Sequence, residues 1–195
     1  MEVICHRRNT IELLNSTPTS MGVEIDIRTF NKKLVIHHDP FIEGVDFEEW
    51  IKIYNHGTLI LNVKEEGLEG HILEILSKFR INKFFFLDQS FPFLIKTVKE
   101  GESRCAIRLS EYESIETVLN LKNLVEWVWV DFFTKFPLNQ NSFNKLKSNK
   151  FKICLVSPEL QGYSEMYIDT IKNILKEEKI KIEAVCTKQP LKWIN

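Results

Sequence analysis

Apolar residues along the chain fall into two alternating rhythms. Short β-rich runs occur at "EVICH" (2–6), "GVEIDIRTF" (22–30), "KLVIHHD" (33–39), "TLILNVK" (58–64), "KFFFLD" (83–88), "CAIRLS" (105–110), "VEWVWVDFF" (125–133), "KICLVS" (152–157) and "IEAVCT" (182–187). Between them stand amphipathic stretches such as "LEGHILEILSKF", "PFLIKTVKEG", "SIETVLNLKNL" and "SEMYIDTIKNILKEE", with apolar residues at helical spacing. Ser90, Ser114 and Ser164 stand at or just ahead of such stretches, where a hydroxyl caps the first amides, and Pro92 suits a first turn. Only Asn31 and Lys32 separate the second and third runs, so the chain turns back there or forms one bent strand. With that pair counted once, strand then helix repeats about eight times, which calls for a parallel sheet with helices outside. The expectation is an α/β protein, a single (β/α)8 barrel of the TIM type spanning residues 1–195, minimal in length and short in its loops. An open doubly wound sheet is the alternative. A dinucleotide-binding version would carry a glycine-rich first turn, whereas the turn here is the polar, cationic "HRRNT".

Polar groups interrupt these runs at their C-terminal ends. Strand side chains alternate between faces, so Glu24, Asp26 and Arg28 share one face while Val23, Ile25 and Ile27 share the other. If the apolar set packs on helices, the charged set points into the mouth of a barrel, where such folds hold their sites. His6 ends the first run, Asn62 and Lys64 share a face, Arg108 shares one with Ala106, and His38 with Asp39 closes the third. Each has a plainer reading. Glu24, Asp26 and Arg28 could be the solvent face of an edge strand, and His37 fits a structural role. Trp127 and Trp129 fit the core, and Lys64 alone would be a solvated strand end. Taken together, two histidines, an acidic pair two residues apart and several cations suit an anionic substrate and a hard metal.

Composition narrows the classes. A net charge of −1 leaves no general footprint for nucleic acid, although a local anion pocket depends only on nearby charge. No run approaches the length of a membrane span, and the first strand starts too early for a signal peptide. The four cysteines lie inside apolar runs with no C-x-x-C pair, which fits reduced thiols and a cytoplasmic location. Seven glycines form neither a G-x-G-x-x-G nor a Walker pattern. Fourteen phenylalanines on a short-looped barrel leave room for a homo-oligomer.

The ordered set "VICHRRNT", "GVEIDIR", "LVIHHDP", "LILNVK", "LDQSFP" and "CTKQP" resembles the glycerophosphodiester phosphodiesterase family across nearly the whole chain. The resemblance implies a phosphodiesterase barrel acting on a small phosphodiester with a divalent cation, Mg²⁺ or Ca²⁺. It implies His6 and His38 as the acid–base pair, Arg7 near the phosphate, Glu24 and Asp26 as metal ligands, Asp39 in support of His38, and Lys64 as the lysine of an "E-x-K" step. Arg108 is a further candidate for the phosphate clamp.

The chain departs from that pattern in three places. Asn62 stands where the family has a glutamate; its amide oxygen can still bind a hard cation but brings no charge, so Glu111, Asp131 or Glu159 is a candidate replacement. Arg8 stands where glycine is usual. Only 22 residues separate Asp39 from Asn62, and "FIEGVDFEEWIKIYNHGT" reads as a loop and one helix in place of the family's larger insert. A phosphodiester hydrolase is the leading expectation. A barrel that binds a phosphorylated ligand without turnover, and a lyase releasing a cyclic phosphate, are its rivals.

Overall fold

The computed structural model describes residues 1–194, which fall into two compact units: Cys5–Glu102, and Met1–Ile4 with the chain from Ser103 onward. Strand β1 (Glu2–Cys5) leads into helix α1 (Ile11–Asn15), whose first turn is capped by the Thr10 hydroxyl accepting from the Leu13 amide. Strands β2 (Gly22–Phe30) and β3 (Lys33–Ile36) then pair antiparallel, with Ile27 opposite Ile36 and Phe30 opposite Lys33. The chain therefore turns back at Asn31 and Lys32, both at positive φ (48° and 65°), the two-residue turn whose twist matches flanking strands. Of the two geometries open to the sequence, the hairpin is the one adopted.

Past β3, the shortened region contains a two-residue strand, β4 (Val45–Asp46), paired antiparallel to β3. It runs straight into α2 (Phe47–Ile51), where Asp46 accepts from the Glu48 and Glu49 amides. The sequence reading expected the helix but not the strand, because two residues carry no periodicity. Strand β5 (Leu59–Val63) lies parallel to β2, with Glu24 opposite Ile60 and Asp26 opposite Asn62. Helix α3 (Glu69–Lys78) returns the chain to β6 (Phe84–Leu87), parallel to β5, and α4 (Phe91–Lys99) follows. Val23, Ile25 and Ile27 are fully buried, as are Leu59, Ile60 and Leu61, so both faces of these central strands are covered.

The other unit repeats the same logic. Strands β7 (Ala106–Leu109), β8 (Trp127–Val130), β9 (Lys152–Val156) and β10 (Ala184–Thr187) pair parallel in that order. The Glu2 amide at the start of β1 donates to the Glu183 carbonyl just ahead of β10 (2.7 Å). Helices α5 (Ile115–Leu119), α6 (Gln140–Ser148), α7 (Tyr167–Glu177) and α8 (Pro190–Ile194) connect or follow the strands. Ser114 caps α5, as its position in the sequence suggested, and Asn139 with Ser142 forms a reciprocal cap on α6. Trp127 and Trp129 are buried, in keeping with a core role. So are all four cysteines, and burial raises the thiol pKa of Cys5 and Cys154. Among the described residues no helix is long and apolar enough to cross a membrane.

Candidate active site

The site residues named from the sequence gather in the Cys5–Glu102 unit, with Arg108 apart. Most stand at or just past the ends of strands. Glu24 and Asp26 occupy alternate positions of β2, Asn62 faces Asp26 across the β2–β5 pair, and Lys64 follows β5 by one residue. Alternation on a pleated strand puts both carboxylates on one side, as the sequence reading expected, and burial there is nearly complete: Glu24 is 1% exposed and Asp26 0%. Burying two acids without partners would cost several kcal/mol or more, so the surroundings must provide partners.

Those partners come from the segment after β1. The Arg7 amide donates to Glu24 Oε2 (2.7 Å), and the Arg8 amide donates to the Glu24 carbonyl (2.8 Å). Arg7 reaches this position at φ 50°, a left-handed conformation that costs a non-glycine residue about 1 kcal/mol and is seen where surrounding structure enforces it. Asn9 holds Asp26 twice: its side-chain amide donates to Asp26 Oδ2 (2.8 Å), and its Oδ1 accepts from the Asp26 backbone amide (3.1 Å). Arg7 Nε lies 3.5 Å from Asp26 Oδ2, and Lys64 Nζ lies 3.2 Å from Asp26 Oδ1 and 3.7 Å from Asp88 Oδ2.

The two acids are thus treated differently. Asp26 is flanked by two cations, while Glu24 receives only neutral donors, the Arg7 amide and Asn62 Nδ2 (3.0 Å). Burial, reinforced by the neighbouring Asp26 charge, pushes the Glu24 pKa up to about 7. His6 Nε2 stands 3.8 Å from Glu24 Oε2.

His38 and Asp39 lie just past β3. His38 Nδ1 and Asp39 Oδ1 are 2.8 Å apart, and the hydrogen bond lowers the Asp39 pKa. Arg28 Nε donates to the His38 carbonyl (2.8 Å), fixing that loop from β2. Arg28 therefore braces the loop, and Glu65 stands near it, 3.9 Å from Nη1. His37 is occupied structurally, with Nδ1 accepting from the Asp39 amide (3.0 Å).

A hard cation fits the chemistry of Glu24, Asp26 and Asn62. Asn62 Oδ1 is buried and accepts no hydrogen bond, and Glu24 is a buried acid with His6 Nε2 3.8 Å away. Turning the Asn62 amide over would present its oxygen beside Glu24, giving two carboxylates and one neutral oxygen. Among the described residues no group of three or more His, Cys, Asp or Glu side chains is placed to hold a metal ion.

Arg108 belongs to the other unit, on β7, where it pairs with Asp131. The acids considered as replacements for the missing glutamate have structural work there. Asp131 also accepts from Gln161, and Glu159 accepts from Thr187 Oγ1 (2.6 Å) and the Lys188 amide (2.9 Å). Glu111 collects the amides of Phe133, Thr134 and Lys135. Asn9 and Asp88 are the participants the sequence reading missed. Asn9 sits three residues after His6 in the polar "HRRN", and Asp88 follows β6 directly at φ 62°, so a polar residue after an apolar run was the available signal.

No protein-family model matches the chain, and no curated protein matches it either. Solved structures do. A glycerophosphodiester phosphodiesterase from Agrobacterium tumefaciens str. C58 aligns with TM-score 0.66 at 9% identity, covering 98% of this chain and 97% of that one. A candidate glycerophosphoryl diester phosphodiesterase from the same organism aligns with TM-score 0.69 at 14% identity, over 99% and 95%. A candidate glycerophosphodiester phosphodiesterase from Galdieria sulphuraria gives TM-score 0.73 at 13% identity, over 100% and 96%. At these identities the likeness establishes a shared fold.

Proposed function

We propose that this chain is a single (β/α)8-barrel phosphodiesterase that hydrolyses a glycerophosphodiester or a similar small phosphodiester. One observation carries the reading: a buried acidic pair, two cations and a histidine meet at the strand ends of a fold shared with structures described as glycerophosphodiester phosphodiesterases. The eight-fold strand–helix repeat of the sequence supports the barrel. Buried thiols and the lack of a spanning helix among the described residues support a cytoplasmic role.

A phosphodiester anion repels nucleophiles, so catalysis requires charge neutralisation, an activated oxygen and a protonated leaving group. Arg7 and Lys64 bind the phosphoryl oxygens, arginine giving a planar fork and lysine a point charge. The His38 Nδ1–Asp39 bond orients the imidazole and leaves Nε2 to take a proton from the attacking oxygen. His6, with Glu24 to balance an imidazolium, protonates the departing alkoxide. Asn9 and the Arg7 amide keep the two carboxylates in place. Mg²⁺ or Ca²⁺ bound by Glu24, Asp26 and Asn62 would supply Lewis-acid neutralisation of a non-bridging oxygen.

Replacing His6 or His38 by alanine should lower turnover by about 10²-fold or more with the circular dichroism spectrum unchanged. Undiminished turnover in both variants would contradict the assignment. A second reading, binding without turnover, has one observation in its favour: Lys64 lies against Asp26 and the Asn62 amide donates to Glu24, so protein groups already stand beside both acids. Calorimetry separates the two, since that reading expects phosphodiester binding without binding of millimolar Mg²⁺ or Ca²⁺.

A further inference from the structure

Residues 6–9 carry His6 and Arg7, and hydrogen bonds from Arg7, Arg8 and Asn9 tie this segment to β2. A second element grips it as well. The indole Nε1–H of Trp50, on α2, donates to the Arg8 carbonyl (3.0 Å) across 42 positions of sequence. The Arg8 amide donates to the Glu24 carbonyl (2.8 Å), so Arg8 is bonded at both its N–H and its C=O. β2 holds one group and α2 the other. Arg7, one residue earlier, requires such a grip, because its φ of 50° persists only where the surroundings enforce it.

Trp50 is held as a fixed donor. It is fully buried, and its α2 neighbours Phe47 and Ile51 are buried with it. Its ring stacks on Tyr54, with centroids 5.6 Å apart and planes 25° from parallel. The helix is in turn joined to the β2–β3 hairpin, since β4 pairs with β3 and runs straight into α2, where Asp46 caps the first amides. An indole N–H removed from water must find an acceptor. Here that acceptor is the peptide carbonyl joining Arg8 to Asn9, the residue that bonds Asp26 twice. A ring that only filled the core would be replaced by phenylalanine without consequence for residues 6–9, and that difference is measurable.

Resting on the phosphodiesterase reading, we infer that Trp50 is a positioning residue for the reaction. Acting through the Arg8 carbonyl, it keeps residues 6–9 in the conformation that presents Arg7 to the phosphate and keeps donors on Glu24 and Asp26. The short segment between β3 and β5 thereby takes on a second task, bracing the loop after β1 from a helix of five residues.

Two measurements on the full chain test this, with Trp50→Phe removing the N–H while keeping a ring in place. Because the smaller ring leaves a void, replacement of Trp50 by benzothienylalanine, isosteric but without the N–H, serves as a second variant with the same expectations. Phe47→Leu, an equally buried truncation on the same helix that leaves the indole bond intact, is the control. In the first measurement, amide hydrogen exchange followed by ¹⁵N NMR compares Arg7 and Arg8 with Leu61 of β5, which reports opening of the central strands. Relative to Leu61, the Arg7 and Arg8 amides should exchange about tenfold faster without the indole N–H, the scale of one lost hydrogen bond, and at the wild-type rate in the control. Unchanged relative exchange in the Trp50 variants, or an equal rise in the control, would overturn the inference. In the second, kcat for a glycerophosphodiester should fall about tenfold in the Trp50 variants and less than about twofold in Phe47→Leu. A matching loss in the control, or none in the Trp50 variants, would overturn the positioning role and leave the phosphodiesterase intact. Faster exchange with no hydrolysis by wild type would overturn the phosphodiesterase reading and leave the brace standing.

Discussion

Glu24 is an acid of the site whose titration is shifted upward by burial. Its pKa, about 7 in the folded protein against an ordinary value near 4.5, means that the folded state holds a proton there which the unfolded chain releases first. Between those values the folded state binds more protons than the unfolded state, so stability falls as pH rises from about 4.5 to about 7, by an amount on the order of a few kcal/mol. Urea unfolding of metal-free protein should show this decline. Glu24→Gln should flatten it, and a slope that persists in that variant would assign the titration elsewhere. Asn62 is the neighbouring lever. Asn62→Glu restores a charged third donor opposite Asp26 and should tighten Mg²⁺ or Ca²⁺ binding by about tenfold or more in calorimetry, whereas unchanged affinity would remove Asn62 from the ligand set. Glu24 and Asp26 were legible in the sequence because strand alternation is a local rule. Asn9 was not, because its two bonds to Asp26 span seventeen positions and depend on how the segment after β1 folds over β2.

At the scale of elements, the segment after β3 governs where His38 stands. Arg28 of β2 fixes its carbonyl from one side, and the chain must then return alongside β3 through Gly44 to form β4. There a side chain has no room: a Cβ at Gly44 would come within 2.5 Å of the Ile36 carbonyl oxygen and 3.0 Å of the His37 Cβ. Gly44→Ala should therefore destabilise the protein by about 1–3 kcal/mol, lowering Tm by several degrees, and an unchanged Tm would show that the backbone yields freely. The expected strands were found because their β-rich character shows in short windows. The hairpin at Asn31–Lys32 was left open between two geometries because turn conformation depends on φ, which neither residue type fixes as glycine would. β4 escaped notice because its two residues are paired only by virtue of β3.

At the scale of the whole molecule, carboxylates shift in opposite directions and together set the pH profile. Glu111, bonded to successive amides of the segment after β8, has its pKa lowered to about 2. An acid with a depressed folded-state pKa contributes stability above its ordinary value and loses it as pH falls, here from about 4.5 through about 2. Asp39 and Glu126 shift in the same direction. Glu24 acts against stability above about 4.5, so the metal-free protein should be most stable near pH 5, and Glu111→Ala should weaken it at pH 6 but not near pH 2. An equal loss at both values would contradict the ionic role of Glu111. Spacing and alternation pointed from the sequence to an anionic substrate and a hard metal. The bond from Trp50 to the Arg8 carbonyl could not be read there, because its partners lie 42 positions apart and meet only in the folded chain. The most direct test of the whole account is ³¹P NMR of a glycerophosphodiester incubated with Mg²⁺ and wild-type, His6→Ala or His38→Ala protein. The account predicts a growing phosphomonoester signal with wild type, slower by about 10²-fold or more with either variant. A wild-type sample that leaves the diester intact, or variants that match its rate, would contradict it.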